Sequence, residues 1–103
     1  MWSNIKNLFG GENTATNFEE LIQQGAVIID VRSPQEFQGG HIKGAINIPL
    51  DRLENSLSKI SKNKPVITCC ASGMRSASAM GILKSKGYDA HNGGGWMSLN
   101  NKI

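Results

Sequence analysis

Apolar residues recur along this chain with two different periods, and their alternation predicts an order of elements. Trp2, Ile5, Leu8 and Phe9 fall on one helical stripe that Gly10 and Gly11 stop, so residues 1–12 are expected to form a short helical extension. Thr16 and Glu19 have the spacing of a capping box, ahead of an apolar face of Phe18, Leu21 and Ile22 and a terminating Gly25. Ala26-Val27-Ile28-Ile29-Asp30-Val31 is almost unbroken in its apolar character and rich in β-branched residues, the pattern of a strand covered on both faces. Ser33, Pro34 and Glu36 then repeat helix-start chemistry as a cap, an N-terminal proline and an acid. Gly39-Gly40-His41 breaks that short helix, and Ala45-Ile46-Asn47-Ile48 reads as a second strand before Pro49.

Leu50, Leu53, Leu57 and Ile60 follow at steps of three, four and three, which predicts an amphipathic helix of moderate length. Val66-Ile67-Thr68-Cys69 reads as a third buried strand, and Cys70 to Arg75 has neither period. Ser76 to Lys86 is a helix by composition, ended by Gly87. Tyr88 to His91 is the expected last strand, with Asn92-Gly93-Gly94-Gly95-Trp96 as a tight glycine turn behind it. Strands alternating with helices predict an α/β domain around a mainly parallel sheet.

A length of 103 residues supports one compact domain over 1–103. The net charge is +3, but the basic residues are scattered, with only Lys59, Lys62 and Lys64 close together, so no nucleic-acid partner is expected. The longest uninterrupted apolar stretch runs only from Ala26 to Ile29, which leaves no membrane span or signal region to draw and makes a cytoplasmic location the expectation. The two cysteines are adjacent, at 69 and 70, so no disulfide can close a long loop.

The segment from Cys70 to Arg75 leaves a strand and enters a helix, at the end of the sheet where open α/β folds place ligands. Unpaired N–H groups and the positive end of the helix dipole would face a sulfur at its first position and favour thiolate. Arg75 would add a permanent charge, able to hold the loop or an anionic ligand by forked hydrogen bonds. Cys69, alternating away from Cys70 at the end of the strand, is expected to be a buried thiol.

Cys70-Ala71-Ser72-Gly73-Met74-Arg75-Ser76 resembles the CxxGxRS active-site loop of rhodanese-like sulfurtransferases. Asp30-Val31-Arg32, the block Gly40-His41-Ile42-Lys43-Gly44-Ala45-Ile46-Asn47-Ile48-Pro49 and Gly94-Gly95-Trp96 are similar to other segments of that family, in the same order. The resemblance covers about residues 14 to 100 and implies a three-layer fold with a central sheet of four to five strands flanked by helices. It implies that Cys70 takes a sulfane sulfur from thiosulfate or another persulfide donor and yields it to cyanide or a thiol. Ala71, Ser72, Gly73, Met74 and Arg75 would form the persulfide-binding loop, with Ser76, Asp30 and Arg32 in support. No metal or other cofactor is implied, and the expected partners are a small-molecule or protein sulfur donor and a thiol acceptor, for a monomer or weak dimer.

Other readings remain open to the sequence. Counted from Cys69, five residues precede Arg75, the CX5R spacing of cysteine-dependent phosphatases and arsenate reductases. Thr68 rather than His before Cys69, and Gly73 three residues after Cys70, favour the other register. A persulfide carrier or a regulatory binding module without turnover would use the same loop. A zinc site from Cys69, Cys70, His41 and His91 lacks the usual ligand spacing. His41 is expected to bond backbone in a turn, Asp30, Arg32 and Glu36 to form a buried or capping charge network, and a strained disulfide between the adjacent cysteines could act as an oxidative switch.

Overall fold

The computed structural model describes residues 16–103, so the expected extension over residues 1–12 lies outside the described residues. The described elements run α1 (Phe18–Gln23), β1 (Val27–Asp30), α2 (Pro34–Gln38), β2 (Ile46–Asn47), two 3₁₀ segments (Leu50–Arg52 and Glu54–Lys59), β3 (Val66–Cys70), α3 (Met74–Ser85), β4 (Ala90–Gly95) and α4 (Trp96–Asn100). All three strand pairings are parallel, in the order β2-β1-β3-β4. The two central strands are the apolar runs, as expected of strands covered on both faces.

Alternation along β3 divides the interior into two layers. Val66 and Cys70 point into one cluster with Ile29, Val31, Leu53, Ile60, Ala79 and Leu83, beneath the 3₁₀ segments and α3. Ile67 and Cys69 point into the other, with Phe18, Ile28, Ile42 and Leu99. The sheet is therefore the middle of three layers, as the resemblance implies.

Five local expectations are corrected. Asn17, rather than Thr16, caps α1, its Oδ1 accepting the Glu20 N–H at 3.1 Å. The expected helix over residues 50–60 is two 3₁₀ segments joined at Leu53. Its steps of three belong to 3₁₀ turns, in which residues three apart share a face, and the single step of four from Leu53 to Leu57 spans the start of the second segment. β3 extends one residue further, to Cys70, and α3 begins at Met74, earlier than Ser76. The glycines after His91 do not turn. They continue β4, and Trp96–Asn100 adds a helix that the sequence did not signal. A Cβ on Gly93 would lie 2.8 Å from both the Thr68 carbonyl oxygen and the Leu99 side chain. That glycine reports lack of space, not a bend.

Candidate active site

β3 carries Cys69 and Cys70 to the carboxyl end of the sheet and sends their side chains to opposite faces. Both are buried free thiols. From Cys70 the chain passes through Ala71 and Ser72 to Gly73, the N-cap of α3, whose φ of +111° suits a residue without Cβ.

Gly73 has no side chain with which to cap the helix, and the Cys70 sulfur takes that place. Sγ accepts the Gly73 N–H at 2.9 Å and the Ser76 N–H, in the first turn of α3, at 3.4 Å. These belong to the group of amide hydrogens that a helix leaves unpaired at its start, where the dipole is positive. The Ser76 Oγ also lies 3.4 Å from the sulfur. Burial pushes the Cys70 thiol up, but the Ser76 hydroxyl and the N–H groups of Ser76, Gly73 and Ser72 outweigh it, and the pKa is lowered from its ordinary 9.0. Cys69 has no such ring. Burial first, then the negative charge of Asp30, pushes its thiol up to about 12.

β4 holds the loop from behind. Asn92 Oδ1 accepts from the Ser76 hydroxyl at 2.6 Å and from the Gly94 N–H at 2.9 Å, while the Thr68 hydroxyl donates to the Ser76 carbonyl at 2.8 Å. A Cβ on Gly95 would sit 2.9 Å from the Ala71 carbonyl oxygen, so a glycine there lets the loop lie against the strand. Sequence reasoning missed Thr68 and Asn92. Asn92 heads residues whose composition reads as a turn, and only a strand there aims its side chain at the loop.

The fork of Arg75 is engaged. Its Nη1 and Nη2 donate to Glu36 Oε1 and Oε2 at 2.8 and 3.0 Å. Glu36 also completes the capping box of α2, its Oε1 accepting the Ser33 N–H at 3.0 Å while its own N–H donates to Ser33 Oγ at 3.2 Å. The Arg75 guanidinium first, then the Ser33 N–H, holds the Glu36 carboxyl down at about 2. The side chains are 39% and 38% exposed, so solvent weakens the attraction and the pair acts chiefly as a tether between α2 and the loop.

Of the expected supporting residues, the structure brings Ser76 to the sulfur but places Asp30 and Arg32 elsewhere. Arg32 Nη2 donates to Asp30 Oδ2 and to the Gly40 carbonyl, each at 2.7 Å, and its guanidinium lies 4.9 Å from the Trp96 ring centroid. This buried pair belongs with Cys69, the register partner of Asp30. His41 bonds the Phe37 carbonyl through Nδ1 at 2.7 Å and stacks on that ring. His91 pairs with Asp89 at 2.9 Å. Among the described residues, no group of three or more His, Cys, Asp or Glu is placed to hold a metal ion. Ala71, Ser72 and Met74 are exposed, and the loop thus opens to solvent.

A parallel α/β sheet whose third strand ends in a thiol ringed by loop N–H groups defines a class of cysteine-loop domains. The sequence profile of the Rhodanese-like domain family matches residues 14–102, and the chain belongs to that family. It is 47% identical over 62 residues to the uncharacterized protein YqhL of Bacillus subtilis, covering 60% of this chain and 49% of that protein. It is 40% identical over 70 residues to the thiosulfate sulfurtransferase PspE of Escherichia coli, covering 65% of this chain and 67% of that one. A solved structure described as rhodanese with anions from E. coli superposes with a TM-score of 0.67 at 37% identity, covering 71% of this chain and 89% of that one. The chain spans about half or less of the length of two of its curated relatives. At the level of the family, these relationships support sulfurtransferase or sulfur-carrier chemistry. No helix of the described residues is long and apolar enough to cross a membrane.

Proposed function

We propose that the protein is a sulfurtransferase in which Cys70 carries a sulfane sulfur between thiosulfate, or another persulfide donor, and a thiophilic acceptor. The observation that carries this reading is the convergence of the Gly73 and Ser76 N–H groups on Cys70 Sγ at 2.9 and 3.4 Å. The same convergence favours Cys70 over Cys69 as the nucleophile, and so favours sulfur transfer over the phosphatase register.

The chemistry has two steps. The Cys70 thiolate attacks the outer sulfur of thiosulfate; a new S–S bond forms as the old one breaks, and sulfite leaves with the bonding pair. The persulfide anion extends into the loop, where N–H groups of Ala71 to Arg75 can face its terminal charge without reorganising. Cyanide or a thiolate then attacks that outer sulfur, and Cys70 departs as the thiolate its surroundings already favour. Arg75, committed to Glu36, fixes the loop in this scheme, and the charge-stabilising groups are backbone amides.

Intact-mass measurement after incubation with thiosulfate tests the proposal. One added sulfur is expected in the parent protein and in Cys69→Ser, none in Cys70→Ser, and cyanide should remove it as thiocyanate. Sulfur loading that survives the loss of Cys70 would overturn the assignment.

A further inference from the structure

Beside the Cys70 loop lies a cleft of about 460 Å³, a volume typical of small-molecule sites. Val31, Pro34, Pro49 and Leu50 give it an apolar wall, Arg75 joins it to the loop, and Asp51 and Arg52 bring charge to it. The two arginines differ in what they can still bind. Arg75 has its fork on Glu36. Arg52 is exposed at the end of the first 3₁₀ segment; its backbone N–H donates to the Pro49 carbonyl at 2.9 Å, but its guanidinium makes no hydrogen bond or ion pair among the described residues. A molecule entering the cleft would therefore meet hydrocarbon and an unengaged guanidinium, whose planar donors match a carboxylate.

We infer that this cleft receives the acceptor thiol and that Arg52 selects acceptors carrying a carboxylate on a short aliphatic stem. The inference rests on the sulfurtransferase reading of Cys70 and adds to it a substrate class and a specificity-determining residue. The acceptor enters as a thiolate, R–S⁻, and attacks the outer sulfur of the persulfide anion Cys70–S–S⁻. An S–S bond forms to the acceptor sulfur, the Cys70 S–S bond breaks, the Cys70 sulfur keeps the bonding pair as thiolate, and R–S–S⁻ leaves. Asp51 faces the same cleft with the opposite charge, so it opposes a carboxylate that Arg52 attracts. The two neighbours should have effects of opposite sign.

The test is steady-state transfer from thiosulfate to three acceptors: 3-mercaptopropionate, its uncharged counterpart 3-mercapto-1-propanol, and cyanide. Arg52→Gln should lower kcat/KM for 3-mercaptopropionate about fivefold, in keeping with one exposed charge pair, and leave the other two acceptors within about twofold. Asp51→Asn should raise kcat/KM for 3-mercaptopropionate alone. An equal loss for the charged and uncharged thiols in Arg52→Gln, or no loss for the charged one, overturns the inference while cyanide turnover leaves the sulfurtransferase reading standing. Absence of cyanide turnover in the parent protein, with thiosulfate and with a small organic persulfide as donors alike, overturns both.

Discussion

Cys69 and Cys70 share a strand, a backbone and a degree of burial, yet their sulfurs meet opposite conditions. On one face Cys69 packs with Phe18, Ile28, Ile42 and Leu99, and the nearby Asp30 carboxylate makes a second negative charge unwelcome. On the other, one peptide further along, Cys70 is ringed by amides that the start of α3 leaves without partners. Burial alone would push both thiols up, and for Cys70 hydrogen bonds reverse the outcome. Depth in the protein does not decide reactivity here; the direction in which the local dipoles point does.

The ion pairs follow the same division. Asp30 and Arg32 are both almost fully buried beside Cys69, whereas Glu36 and Arg75 are more than a third exposed beside the Cys70 loop. Breaking the first pair should have the largest effect. Asp30→Ala leaves the Arg32 guanidinium buried without its counter-charge, and urea denaturation should show a loss of about 3–5 kcal/mol.

An intermediate effect is expected on the Cys70 side. Ser76→Ala removes the hydroxyl that favours the thiolate, so the thiol should titrate closer to 9.0 than in the parent, and alkylation by iodoacetamide at pH 7 should slow several-fold. The same substitution should leave the titration of Cys69 where it is.

The smallest effect belongs to Glu36→Gln. Because the Glu36 carboxyl is held at about 2 rather than its ordinary 4.5, its ionised form favours the folded state fully above pH 4.5, and that contribution fades as pH falls toward 2. The Tm of the parent should therefore exceed that of Glu36→Gln by a small margin near pH 7, and the margin should close as pH falls from 4.5 toward 2.

Much of this arrangement is legible in the residues, for identifiable reasons. β1 and β3 announce themselves because a strand covered on both faces needs an unbroken apolar run, and Ser33-Pro34-Gln35-Glu36 announces α2 because its capping chemistry is local. Cys70 and its loop stood out as an aperiodic stretch between a strand and a helix. What escaped was decided by tertiary contact. The three glycines of β4 look like a turn, but Gly93 and Gly95 are needed where Thr68, Leu99 and the Ala71 carbonyl come too close for a Cβ. Leu50, Leu53, Leu57 and Ile60 show a helical stripe, but a pattern of three-residue steps cannot by itself separate 3₁₀ from α geometry. The sequence offers Arg75 as a charge for the loop or a ligand, and its commitment to Glu36 depends on two segments 39 residues apart in sequence.

The contrast between the adjacent thiols is open to direct titration. Thiolate absorbance in the ultraviolet can be followed against pH in Cys69→Ser, which retains Cys70, and in Cys70→Ser, which retains Cys69. The account predicts a midpoint below 9.0 for the first and little thiolate until pH approaches about 12 for the second. Coincident midpoints, or the lower one in the protein that keeps Cys69, would contradict it.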